Sequence, residues 1–373
     1  ISMSMLDPIC KFLAFTSIMT QTELLEARVR RNPLSEQPLR CASVYFPFMM
    51  RAKFWLAVFL TAASCYAQRR IPIIFDTDIG DDIDDALALA LALQSPELDV
   101  RAVTTVIDEP ETRARLAWKE LGLYGRHDVQ LGIGASEPLL SPPRKAIAAQ
   151  FQVLTSADSL PANVHRRAAG LIIETLMQSP ARITIVPVGP LTNIALALRL
   201  EPRIKEKIER IVLMGGAFDL LRPEYNIVRD SAAAEIVFAS GVPVTAVGLD
   251  VTLKCKLEGK DLERLRAADN PASKFLVRLI ELWQTANPGR FPTLHDPLAV
   301  AVAFRPNLVE TQQGRVQVEV SGDAANGLTI FTPSDRLPAD ISGTTLVSRE
   351  VNARAFLDMF IERLSQSPRA QQK

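Results

Sequence analysis

The chain has 373 residues, 48% of them hydrophobic, and its 42 basic side chains balance 42 acidic ones. That length supports one large domain or two ordinary ones with a substantial core. The even charge and the lack of a basic stripe interleaved with aromatics exclude nucleic acid as an expected partner.

In chain order, the first 70 residues stand apart from the rest. Around Met49 and Met50 the sequence runs MMRAKFWLAVFLTAASCYAQ, with positive charge at Arg51 and Lys53, an apolar stretch from Phe54 to Ala63 and small residues ending at Ala67. This order describes a secretory signal peptide over 49–67, too short for a comfortable membrane span, so export with cleavage near Ala67 is expected. The Cys65 context, TAASC, loosely resembles a lipoprotein cleavage site but lacks the usual leucine three residues earlier, which favours ordinary cleavage into the periplasm or medium. Residues 1–48 precede a plausible start methionine and are read as an upstream segment without function, leaving 68–373 as the mature domain. Of four cysteines only Cys255 falls there. With no internal disulfide and no Cys/His cluster, a structural zinc site is not expected.

From Ile71 onward, short β-rich runs alternate with helical patterns. IPIIFDTD reads as a strand, DDALALALALQS as a helix, DVRAVTTVI as a strand and PETRARLAWKELGLYGR as a helix. RITIVPVG, IERIVLMGG and PVTAVGLDVT continue as strands, with PLTNIALALRLEP and SAAAEIVFASG as helices between them. Such alternation builds βαβ units, hence an α/β fold with a mostly parallel central sheet and helices on both faces, Rossmann-like in architecture. Ligands in these sheets bind outside the carboxyl ends of the strands. Asp76 and Asp78, residues 189–192, Gly215 with Gly216, and residues 250–252 should therefore gather on one rim.

The stretch DTDIGDDIDD places six aspartates between Asp76 and Asp85, with no Lys or Arg from Ile71 to Leu98. Like charges this close raise one another's pKa and oppose folding. A helix N-terminus offsets one or two acids, by about 0.3–1 kcal/mol each, but not six. A bound divalent cation reverses the balance, and an all-oxygen ligand set points to calcium or magnesium, with calcium favoured for a loop-built site in an exported protein. Part of the charge has a plainer reading, with Asp81 above all in a cap or solvated first turn and Asp76 as a buried strand-end carboxylate.

This junction, taken with VPVGPLTNIALALRLEP, IVLMGGAF, PEYNIVRDSAAAEIVF, VGLDVT and LHDPLAVA in order, resembles the inosine-uridine-preferring nucleoside hydrolase family from about Ile73 to the C-terminus. The resemblance implies Ca²⁺ held by Asp78, Asp85, a backbone carbonyl at Thr192 and Asp296. It implies ribose hydroxyls gripped by Asp84, Glu224, Asn226 and Asp296, with Tyr225 where the family has phenylalanine. Asp78 would activate water as general base, and His295 would protonate the departing base. Its plainer role is to orient Asp296. The substrate implied is a small-molecule ribonucleoside, and a homo-oligomer is compatible with the reading. Trp283 and Phe291 fall near the leaving-group side, where stacking on a base contributes about 1–3 kcal/mol, although Trp283 has helix-core spacing too.

The chain departs from the family pattern in places. The acidic loop is two residues longer than the usual one and lacks its proline, so either Asp84 or Asp82 fits the first paired-aspartate position. Asp108 or Glu109 replaces the asparagine that ordinarily follows the second strand, and the segment between Gly216 and Glu224 lacks another. Two rivals remain in view. An aspartyl phosphatase is disfavoured because Gly80 stands where that chemistry wants Thr or Val. The other is an exported, calcium-dependent nucleoside- or ribose-binding protein without turnover.

Overall fold

Residues 73–77 of β1 (Ile71–Thr77) are buried without interruption, as expected of a strand covered on both faces. The computed structural model describes residues 70–368 apart from 141, 143–147, 323 and 340–342. The proposed signal segment and residues 1–48 lie outside the described residues.

β1 is central in a nine-stranded sheet of order β3-β2-β1-β4-β5-β6-β9-β7-β8. The parallel strands are β2 (Leu98–Thr105), β3 (Gln130–Ile133), β4 (Ile183–Pro187), β5 (Ile208–Met214), β6 (Val244–Val247) and β9 (Thr345–Val351). At the far edge, β7 (Val309–Val318) runs antiparallel to both β9 and β8 (Thr329–Pro333). The chain moves outward from β1 to β2 and β3, then returns to pair β4 with the other side of β1. That reversal is a topological switch point, where a crevice opens beyond the strands' carboxyl ends. Asp76 sits on it, aligned with Thr104 on one side and Pro187 on the other.

The segment expected as one strand through 252 bends away after β6. Residues Leu249–Thr252 instead form a short helical turn. The Asp250 carboxylate accepts hydrogen bonds from the backbone N–H groups of Phe218 (2.8 Å), Asp219 (2.9 Å) and Leu220 (3.3 Å). Holding that neighbouring loop requires the chain to leave the sheet plane.

Helix α1 (Asp84–Gln94) follows β1 directly, and every one of its residues is buried. Its leucines alternate with alanines, a period that alone would suit a strand. Both residues are strong helix formers, however, and a helix apolar all round belongs in an interior. It packs against the sheet and against two later helices, α10 (His295–Phe304) and α11 (Ala353–Leu364). α1 thus fixes the acidic loop from behind. Leu89 is fully buried in this contact. Leu89→Ala should cost about 2–5 kcal/mol in urea unfolding; a loss under about 1 kcal/mol would contradict this packing.

Candidate active site

The six aspartates take different places. Asp76 is fully buried, and its Oδ1 accepts hydrogen bonds from Thr104 Oγ1 and, at 2.8 Å, from Asn193 Nδ2. Burial raises it to about 7 despite those bonds. Asp78, just past the end of β1, faces the cavity and is likewise pushed to about 7, by burial first. A Cβ on Gly189 would lie 2.6 Å from Asp78 Oδ1, so the chain passes this carboxylate only as glycine. Asp85 accepts a hydrogen bond from Thr77 Oγ1, and Asp84 Oδ2 accepts the Asp296 N–H at 3.1 Å.

Asp84, Asp85 and Asp296 are buried, and each brings a carboxylate oxygen within 4.8 Å of the other two. Burial, then repulsion from neighbouring acids, holds all three well above the ordinary carboxylate range. Of the two candidates for the first paired position, both line the cavity, and Asp84 belongs to this trio. Asp82 is exposed and accepts from the Ile83 N–H at 2.7 Å.

A buried cation meets the acidic turn, and local sequence gave no sign of it. Arg113, on α2 (Pro110–Leu123), is 1% exposed. Its Nη1 donates to the carbonyls of Asp78 and Ile79, its Nε donates to the Ile107 carbonyl at 3.1 Å, and its Nη2 lies 2.8 Å from Asp81 Oδ2. Asp81 is therefore ion-paired, where a cap or a solvated turn was expected. Arg113 also approaches Asp108 (3.8 Å), which pairs at 2.8 Å with Arg229 at the end of α5 (Tyr225–Arg229). Ile107 and Asp108 both adopt positive φ, 50° and 56°. Asp108, one of the two candidates for the position of the family asparagine, thus ties the acidic loop to the helix carrying Asn226.

Arg113 faces Asp78 and Asp81, leaving the inner trio short of positive charge. A buried, all-oxygen cluster of this kind fits a hard divalent cation.

Across the cavity, Glu224 caps α5. Its carboxylate accepts from the backbone N–H groups of Gly216, Asn226 and Ile227 at 3.2, 2.9 and 3.1 Å, and burial raises it to about 7. Asn226 Nδ2 donates to Val188 O at 2.7 Å and Met214 O at 3.2 Å, bridging the ends of β4 and β5. His295 opens α10, with Nδ1 2.7 Å from Thr252 Oγ1. Burial, with Arg222 and Arg290 nearby, pushes it down to about 4.

Asp78, Asp84, Asp85, Glu224, Asn226, His295 and Asp296 all line one cavity of about 610 Å³, a size suited to a small ligand. Thr192 does not join them. It starts α4 (Thr192–Leu200), and its Oγ1 donates to Asp230 Oδ2 at 2.6 Å; the residue of that turn lining the cavity is Val188. Trp283 serves both readings, buried in the core at 5% exposure while lining the cavity, whereas Phe291 is exposed and does not. Arg222, Asn287 and Arg290 line the cavity too; they lie in variable-looking loops without a motif to mark them.

A switch-point crevice floored by buried carboxylates defines an α/β enzyme site for a small polar ligand. The inosine-uridine preferring nucleoside hydrolase profile matches residues 73–358. Pyrimidine-specific ribonucleoside hydrolase RihA of Citrobacter koseri is 36% identical over 310 residues, covering 79% of this chain and 98% of the relative. RihA of Escherichia coli O7:K1 matches at 36% over 309 residues, with the same coverage. Among solved structures, the plant nucleoside hydrolase PpNRh1 superimposes with a TM-score of 0.69 at 30% identity, covering 79% and 99% of the two chains. The purine-preferring ribonucleoside hydrolase of Gardnerella vaginalis gives 0.69 at 34% identity, covering 79% and 98%. The chain belongs to the inosine-uridine preferring nucleoside hydrolase family and is an N-ribohydrolase.

Two outcomes follow from the charge arrangement. Arg113→Met leaves buried carboxylates without their counter-ion and should cost about 3–5 kcal/mol in chemical denaturation; a loss below about 1 kcal/mol would contradict the role. Asp76, Asp78 and Glu224 all have folded values near 7, above their unfolded ones. Their stabilising contribution is complete below the unfolded values and is lost as pH rises toward 7. Chelator-treated protein should therefore melt at progressively lower temperature from pH 4.5 to 7.5, and a steady rise over that range would count against this electrostatic picture.

Proposed function

We propose that the protein hydrolyses the N-glycosidic bond of a ribonucleoside to ribose and free base around a bound calcium ion, in an exported form released by a signal peptide at 49–67. The observation that carries this reading is the buried trio of Asp84, Asp85 and Asp296 beside Asp78, at a switch point, with one arginine as counter-ion. Asp78, Asp85 and Asp296 would hold the ion, and Asp84 stands close enough to share it. The oxygen-only donor set and the irregular loop favour calcium. When bound, the ion supplies positive charge that lowers the pKa of a coordinated water and fixes a vicinal diol.

The remaining steps fall to the chain's own residues. Asp78 would accept the proton of the attacking water, since its carboxylate faces the cavity beside the acidic trio. Asp84, Asn226, Glu224 and Asp296 surround the sugar and stabilise the positive charge that develops on it. His295 would serve as the departing base's proton donor: held neutral by burial and the nearby guanidiniums, it would take up a proton from solvent as negative charge builds on the base and pass it on.

Asp78→Asn keeps the shape of the side chain but removes the base. Turnover of inosine and uridine should fall by about 10²–10⁴-fold or more, with circular dichroism and melting near wild type. Near-normal rates would remove Asp78 from the mechanism.

A further inference from the structure

Besides its carboxylates, the cavity is lined by two arginines, Arg222 from the loop before α5 and Arg290 from the turn after α9 (Pro271–Ala286). His295, which lines it too, lies close enough to both guanidiniums to feel their charge. Arg290 sits 5.8 Å from the centre of the Trp283 ring, and its Nη1 is 3.3 Å from Asn287 Oδ1, so aromatic and amide neighbours hold it over the cavity. Arg290 also lies near enough to Asp82 for its charge to draw that carboxyl down, against the rise that burial imposes.

We propose that Arg222 and Arg290 form a cationic subsite that stabilises the negative charge building on the nucleobase as it departs, before His295 passes it a proton. This rests on the hydrolase reading above. When the C1′–N bond breaks, its electron pair goes to the base nitrogen, the water oxygen bonds to C1′ and the water's proton passes to Asp78. The base therefore carries a growing negative charge, spread over ring nitrogens and exocyclic oxygens, until His295 delivers its proton. A guanidinium presents planar paired donors that match adjacent acceptors of this kind. Fixed cations placed where charge develops lower the barrier without reorganising, so their effect appears in kcat more than in KM.

The experiment compares wild type with Arg222→Gln, Arg290→Gln and the double variant on two substrates. Inosine has a poor leaving group, whereas 4-nitrophenyl β-D-ribofuranoside releases an anion that is stable without help. Both arginines are exposed, so the variants should fold. The double variant should lose about 10²–10³-fold in kcat on inosine, with KM little changed, and about three-fold or less on the nitrophenyl riboside. Equal losses on both substrates, or none on either, would overturn the subsite while leaving the hydrolase reading intact. Wild-type protein cleaving neither substrate would overturn the hydrolase reading and the subsite with it.

Discussion

Buried carboxylates at the carboxyl end of β1 repel one another, and the structure around them resists that repulsion. Asp84, Asp85 and Asp296 approach within 4.8 Å, from residues more than 200 positions apart. Left to Coulomb forces in a low-dielectric interior they would separate or take up protons. α1 prevents the first outcome, because a helix buried on every side has no room to withdraw. The second outcome stands in competition with cation binding, and this competition couples the stability of the fold to its chemistry.

Arg113 gives the arrangement its asymmetry. Its hydrogen bonds to the Asp78 and Ile79 carbonyls fix the loop backbone, and its ion pair with Asp81 withdraws one acid from the cluster. Asp108 extends the same network to Arg229 and so to the helix bearing Asn226. The acidic loop and the helix bearing Asn226 are thereby held by one connected set of charges. Removing one member of such a set costs more than the pair was worth, since its partner is left unmatched.

Much of this was legible in the sequence, for reasons that differ by residue. β1, β2, β4 and β5 are short apolar runs whose burial leaves few alternatives, and the acid-rich turn announced a site by its charge alone. Asp78, Asp85, Glu224, Asn226, His295 and Asp296, which line the cavity, could be singled out because each sits in or beside a short recognisable motif. Arg113 could not, because its partner loop lies some 30 residues earlier and only the β1–α1–β2–α2 crossover brings them together. Thr192, singled out for its backbone carbonyl, does not line the cavity. Its hydroxyl bonds to Asp230, while Val188, four residues earlier at the strand end, reaches the cavity. The edge strands β7 and β8 escaped notice because exposed positions interrupt their apolar pattern.

Calorimetric titration of calcium chloride into chelator-stripped protein at pH 7.5 tests the central claim most directly. The account predicts saturable binding of one ion per chain with release of protons, and loss of that binding in Asp85→Ala. Absence of heat and of any proton release across millimolar calcium, in protein shown to be folded, would contradict it.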